Sequence, residues 1–185
     1  MPHEVVMSAD ETGISGLFVI RLKQVGDDRG VVREFFRESS WADAGLPPVG
    51  QWTQFNITET RQGSLRGLHG EAMHKLVGVV HGEAFGAYVD LRRDSPSFGR
   101  VETVVLVPGT QVLVPNGVGN GFQAVSEGGC QYLYCFDTEW QPGMAGVSVS
   151  ALDPELGIEW PLPVAADDLS DRDRSLPTFA EYRDE

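Results

Sequence analysis

Apolar residues fall in short runs along this chain, and glycine or proline interrupts them at close intervals. The segments "LFVIRLKQV", "VVREFF", "QWTQFNI", "KLVGVV", "AFGAYVDLR", "VETVVLV", "QVLVP" and "QYLYCF" read as strands, because β-branched and aromatic residues cluster between turn formers. Many short strands at this spacing predict a β-sandwich or barrel. One segment differs. "SSWADAGL" (39–46) carries a helix start, with Ser39 or Ser40 as N-cap and Asp43 following. "LDPELGIEWPLP" is bounded by proline and reads as an ordered loop packed by Ile158 and Trp160. From Ala165 the chain is polar, and "DDLSDRDRSL" reads as a short helix or a loop. Strand alternation in "CQYLYCF" puts Tyr132, Tyr134 and Phe136 on one face. It puts Cys130 and Cys135 on opposite faces, so buried free thiols are expected rather than a disulfide.

A length of 185 residues fits one domain, 1–185, with a core over about 16–163 and the segment 164–185 packing on it. No apolar run approaches the roughly 18 residues that span a bilayer. The start, "MPHEVVMSADETG", lacks the basic-then-apolar order of a signal peptide. A cytoplasmic protein with no membrane partner is expected. The net charge of −13 also disfavours nucleic acid as a partner. The cations are unevenly placed: no Lys or Arg falls between Val101 and Asp171, while Arg29, Arg66, Lys75 and others crowd the first hundred residues. A local cationic pocket would suit a small phosphorylated ligand. An ordinary solvated surface is the competing reading.

The chemistry concentrates in "RGLHGEAMHKLV" (66–77), which holds two of the four histidines and one of the two lysines. Its spacing resembles the first signature of the cupin jelly roll, with Gly63, His69, Glu71, Lys75 and Gly82 in register. Gly109, Pro115, Gly117 and Asn120 follow the second. The metal-binding set is dismantled, however. His69 alone survives of four ligand positions, and a lysine stands where a carboxylate is needed; an ammonium only donates. No metal is expected. An imidazole beside a cation is instead suited to pulling a proton from carbon next to a carbonyl. A lysine can stabilise the enolate oxygen that forms. Tyr134 would supply an acid on the opposite face, or else be a core aromatic.

The order and spacing of "DDRG", "QFN", "RGLH", "KLV", "VDLRRDSPSFGR", "VPNGVGNGF", "YLY", "DPELGIEWP" and "LSDRD" resemble the dTDP-4-dehydrorhamnose 3,5-epimerase family, the RmlC-like sugar epimerases. The likeness runs from about Asp27 to Pro177. It implies an all-β cupin-type jelly-roll barrel with a few short peripheral helices. It implies a homodimer with a shared pocket, needing no cofactor, that epimerises a dTDP-linked 4-keto-6-deoxyhexose at C3, C5 or both. By the same resemblance His69 would be the base, Asp173 would hydrogen-bond and orient it, and Tyr134 would be the acid. Lys75 would sit by the C4 ketone. Arg29 and Arg66 would bind diphosphate, where a guanidinium fork matches phosphate oxygens. Glu34, Gln54, Asn56, Asn120 and Trp140 would line the substrate pocket.

The sequence departs from the family pattern in several places. Asn120 stands where the family has a histidine, and Gly86 where it has an aspartate; those two residues form a second His–Asp pair. Trp140 stands for an aromatic with a hydroxyl, and Gly70-Glu71 for an aromatic-glutamine pair. The base, its aspartate, the lysine and the acid remain. An epimerase of one or two carbons is the expected activity. A sugar-nucleotide-binding homologue without turnover is the alternative, ahead of a metal-dependent cupin oxygenase.

Overall fold

The computed structural model describes residues 3–185. The chain forms β1 (His3–Val5), β2 (Ser8–Glu11), β3 (Phe18–Arg21), β4 (Gln24–Asp27), β5 (Gly30–Arg33) and helix α1 (Glu38–Asp43). The barrel strands follow: β6 (Gln54–Thr60), β7 (Leu65–Glu71), β8 (Lys75–His81), β9 (Ala84–Asp90), β10 (Val101–Leu106), β11 (Thr110–Val114), β12 (Val118–Ala124), β13 (Cys130–Phe136) and β14 (Gly146–Ser148). Two short helices, α2 (Asp171–Arg174) and α3 (Phe179–Asp184), close the chain.

A five-stranded sheet, β10-β9-β12-β7-β14, faces a six-stranded sheet, β2-β3-β11-β8-β13-β6. This is the expected jelly roll. The pairs within both sheets are antiparallel. A third sheet, β1-β4-β5, stands apart from them. Alternation sorts the side chains into three cores. Val77, Val112, Tyr88, Phe122 and Tyr132 point between the two sheets. Leu76, Leu113, Leu133 and Cys135 point outward from the six-stranded sheet, under Trp41 and Leu46. Leu68, Ala87 and Val89 point outward from the five-stranded sheet, under Leu156, Phe179 and Tyr182. The central strands of both sheets are thus covered on both faces, and β12 is buried at every residue.

The strand reading holds for most segments, and Cys130 and Cys135 are buried free thiols in separate cores. Two strands of the site, β7 and β12, were not expected, because their glycines read as turns. The N-cap expectation is corrected. Ser39 and Ser40 lie inside α1, whose N-cap is Arg37 with no side-chain cap bond. The Ser40 hydroxyl donates instead to Glu34 at 3.0 Å. The tail is more structured than its polarity indicates. Thr178 and Glu181 form a capping box that starts α3, and Phe179 and Tyr182 are buried. Tyr182 donates to the Leu91 carbonyl at 2.6 Å, and Ile158 and Trp160 pack on the same core as expected. No helix among the described residues is long and apolar enough to cross a membrane.

The turn after β9 is pinned by a buried carboxylate. Asp90 accepts from the Arg92 guanidinium at 2.7 and 2.8 Å, and from Ser95 and Ser97 at 2.6 Å each. Burial pushes its carboxyl up, yet these donors outweigh it and hold it at about 2. Such a group adds stability above the unfolded-state value near 4, and loses it as pH falls toward 2. Asp90→Asn is expected to cost about 2 kcal/mol at neutral pH, with the deficit narrowing as pH approaches about 2. Urea unfolding across that range checks it.

Candidate active site

A cavity of about 240 Å³ opens between the two sheets, lined from five strands and a loop. Arg66, His69 and Glu71 come from β7, Lys75 from β8, and Asn120 and Phe122 from β12. Asn56 and Thr58 come from β6, Tyr134 and Phe136 from β13, and Trp140 from the loop that follows. The volume is below the usual range of about 300–1,000 Å³ for drug-sized ligands, so it suits one sugar ring and not a whole nucleotide.

Local backbone explains why these side chains meet. Residues three apart point to opposite faces of a regular strand. Arg66 and His69 nevertheless share the cavity. Pairing runs Asn120 to His69 and then Phe122 to Arg66, so β7 uses one more residue than β12 over this interval. That extra residue is a bulge, which re-aims the side chains beyond it. Leu65 and Leu68 face the outer core, and Arg66 between them turns inward. Gly67 (φ 116°) makes the bulge possible. A Cβ there would lie 2.5 Å from the Gly121 Cα and 2.7 Å from the Asn120 carbonyl oxygen.

His69 is held from two sides. Its Nε2 lies 2.8 Å from Asp173 Oδ1, which belongs to α2, although the ring N–H is not well aligned on that oxygen. Its Nδ1 lies 3.2 Å from the Ser148 hydroxyl on β14. Ser170 caps α2 by accepting from the Asp173 backbone N–H, which fixes the carboxylate's base. Burial raises the Asp173 carboxyl, but the His69 imidazole and nearby donors outweigh it, so the group sits below its ordinary value and stays ionised. An anion beside Nε2 keeps the proton on that nitrogen and leaves Nδ1 as an acceptor, to which the Ser148 hydroxyl donates.

Tyr134 belongs to a column of rings and is its partly exposed member above Tyr132. Phe122 stacks on Tyr132 at 3.8 Å between centroids, Tyr132 meets Tyr134 at 4.8 Å, and Tyr134 meets Phe136 at 5.8 Å. Burial pushes the Tyr134 phenol up to about 12, against a hydrogen bond from Thr58 and the Arg66 charge. It therefore holds its proton across the neutral range. Lys75 is almost fully buried, at 3% exposure. Its ammonium donates to the His69 carbonyl at 2.9 Å, to Asn120 Oδ1 at 2.8 Å, and to the Glu71 carboxylate. This donor set does not fit a metal ion, since an ammonium stands between the remaining oxygen ligands.

The cavity thus gathers His69, Tyr134, Lys75, Arg66, Asn56, Asn120 and Trp140 of the expected residues, with Asp173 directly behind. Three others lie outside it. Arg29 sits at the β4–β5 turn, paired with Asp27 and 90% exposed at its side chain. Glu34 is engaged by Arg37 and Ser40. Gln54 accepts from the Trp140 backbone N–H at 2.7 Å, and so holds the rim rather than lining it. Sequence reasoning missed Thr58, Ser148 and the active placement of Glu71. Only the alternation of β6 and β7 carried a signal for two of them.

The family model for dTDP-4-dehydrorhamnose 3,5-epimerase matches residues 11–181. The dTDP-4-dehydrorhamnose 3,5-epimerase of Pseudomonas aeruginosa is 36% identical, over 95% of this chain and 97% of its own. The crystal structure of a 4-keto-6-deoxy sugar epimerase from the novobiocin cluster of Streptomyces spheroides superposes with a TM-score of 0.88. The match is 32% identical and covers 100% of this chain and 93% of that one. A 3′-monoepimerase of Streptomyces bikiniensis, solved with dTDP-quinovose, gives a TM-score of 0.84 at 31% identity, over 94% of this chain and 88% of that one.

The tautomer is testable without substrate. Nitrogen-15 NMR of the histidine rings should show His69 protonated at Nε2. In Asp173→Asn that signal should move toward a tautomer mixture. An Nδ1-protonated ring in the unmodified protein would contradict the assignment.

Proposed function

The chain belongs to the dTDP-4-dehydrorhamnose 3,5-epimerase family, and from this we propose that it inverts C3, C5 or both in a dTDP-linked 4-keto-6-deoxyhexose. The observation that carries this reading is the pairing of an imidazole backed by a carboxylate with a protonated phenol across one ring-sized cavity. Once the Ser148 hydroxyl turns away from it, His69 Nδ1 takes the proton from the carbon next to the ketone. The C–H electron pair becomes the enolate double bond, and the carbonyl pair moves onto oxygen. Tyr134 returns a proton to the opposite face, which inverts the centre. Asp173 keeps the ring oriented and stabilises the imidazolium that forms. Arg66 meets the diphosphate, where a guanidinium suits phosphate oxygens. Asn56 and Trp140 hold the ligand at the mouth. A general acid or base of this kind contributes about 100- to 10,000-fold.

The nucleotide extends beyond the cavity, and its remaining contacts come from a second copy of the chain. Arg29 and Glu34 belong to the segment around the separate β1-β4-β5 sheet, away from their own cavity. That sheet exposes Val32 at 74%, and the edge strand β6 exposes Phe55 at 58% and Ile57 at 62%. Exposed apolar side chains on these two surfaces favour burial against a partner. Sedimentation should give a homodimer. A monomer with full turnover would remove the shared pocket.

NMR of dTDP-4-keto-6-deoxyglucose in deuterium oxide tests the chemistry. Deuterium should enter at C3, C5 or both, with inversion. Ligand that binds but takes up no label would identify a binding protein instead. His69→Ala should abolish exchange at every carbon while the melting temperature stays near that of the parent. Tyr134→Phe should slow inversion by about 100-fold or more, yet leave exchange with retention.

A further inference from the structure

The lysine of this cavity has no hydrogen bond left to offer. An ammonium carries three N–H bonds. Those of Lys75 are directed to the His69 carbonyl, the Glu71 carboxylate and the Asn120 amide oxygen. A ketone oxygen entering the cavity would be a fourth acceptor. Asn120 has the opposite balance. A donor-only ammonium at 2.8 Å can be met only by the amide oxygen, so Lys75 fixes which way that amide points. The Nδ2 group is thereby turned away from Lys75. Among the described residues no acceptor meets it, and it is not sealed from the cavity. Asn120 also pairs directly opposite His69 across β7 and β12. Its free donor therefore stands beside the base, on the same face of the sheet.

We propose that the Asn120 Nδ2–H group, not Lys75, donates the hydrogen bond that stabilises the enolate oxygen, and that Lys75 and Glu71 are positioning residues that hold the amide for this task. This rests on the enolisation reading above. The proton goes from carbon to His69, the C–H electron pair forms the carbon–carbon double bond, and the negative charge arrives on the oxygen facing Asn120. A preorganised donor aimed at developing charge is an effective way to lower such a barrier. Lys75 contributes through the amide, whose dipole its charge polarises.

Glu71 has a distinct part. It lies two residues past His69 on β7, on the same face. Burial pulls the Lys75 ammonium below the ordinary lysine value, and Glu71 opposes that pull. The carboxyl of Glu71 is itself raised by burial, but the Lys75 charge outweighs this and holds it low and ionised. The other charged or titratable groups facing this point are Arg66 and His69 from β7 and Tyr134 from β13, with Asp173 of α2 behind His69. Arg66 disfavours the ammonium, so Glu71 is the adjacent anion that keeps Lys75 protonated. A neutral amine could accept as well as donate, and would no longer dictate the amide's direction.

Two variants test this by deuterium exchange into dTDP-4-keto-6-deoxyglucose, with dTDP binding and melting as controls for folding. Asn120→Asp keeps an oxygen for Lys75 and removes the donor. Its kcat should fall by about 100- to 1,000-fold, with KM changed by less than about threefold. Glu71→Gln keeps an acceptor and removes the charge. It should move the high-pH limb of kcat/KM downward by about one unit or more, which a merely structural role would not do. Exchange by Asn120→Asp at the parent rate overturns the donor. An unmoved pH profile in Glu71→Gln overturns the positioning role. No exchange by the unmodified protein removes the epimerase reading and this inference together, whereas parent exchange with an unaffected Asn120→Asp removes this inference alone.

Discussion

The site depends on how closely β7 can approach β12. A bulge between them shifts one residue of β7, and that shift brings Arg66 and His69 to the same side. Glycine stands on both strands at the crossing. A Cβ on Gly67 would strike Gly121, and a Cβ on Gly121 would lie 2.6 Å from the Arg66 carbonyl oxygen. Any side chain at either position would force the strands apart. The phosphate-binding candidate and the base would then lose their common cavity. The pairing of Asn120 with His69 would loosen with them. Function here begins as a backbone contact, before any titratable group is considered.

Rigidity around that contact comes from two sources. On one side the rings of Phe122, Tyr132, Tyr134 and Phe136 stack or tilt against one another, and this fixes the phenol without a charged partner. On the other side the carboxylate behind His69 belongs to a helix of four residues. Such a helix has little stability of its own. It is held by the Ser170 cap and by the C-terminal segment, whose Phe179 and Tyr182 bury themselves on the five-stranded sheet. The tail is therefore part of the site's support, since its docking sets where Asp173 stands.

The same features explain what the sequence disclosed. Strands such as β8, β9 and β13 were legible because β-branched, aliphatic and aromatic residues run together there with few turn residues. The strands β7 and β12 were not, because "RGLHGE" and "VGNGFQA" contain the glycines their close approach requires. A period-two reading would also have separated Arg66 from His69, so their union came from family resemblance alone. The same holds for Asp173, which lies more than a hundred residues away in a polar tail. Arg29, Glu34 and Gln54 show the reverse. Their motifs are in order, but a single chain gives them local partners in Asp27, Arg37 and Trp140 instead of a place at its cavity.

The two departures at Asn120 and Gly86 are linked through space. A Cβ added at Gly86 would lie 2.8 Å from the Tyr88 hydroxyl, so that phenol occupies room an aspartate would need. Tyr88 pairs with Asn120 across β9 and β12. It is fully buried, and burial pushes its phenol well above the ordinary value, so it brings no charge to the site. A histidine at position 120 would then have no carboxylate behind it. An amide needs none, because Lys75 orients it from the front. With Gly86 and Tyr88 in place, asparagine suits position 120 better than the family's histidine. The cavity is left with one carboxylate-backed imidazole and, beside it, a donor that does not titrate.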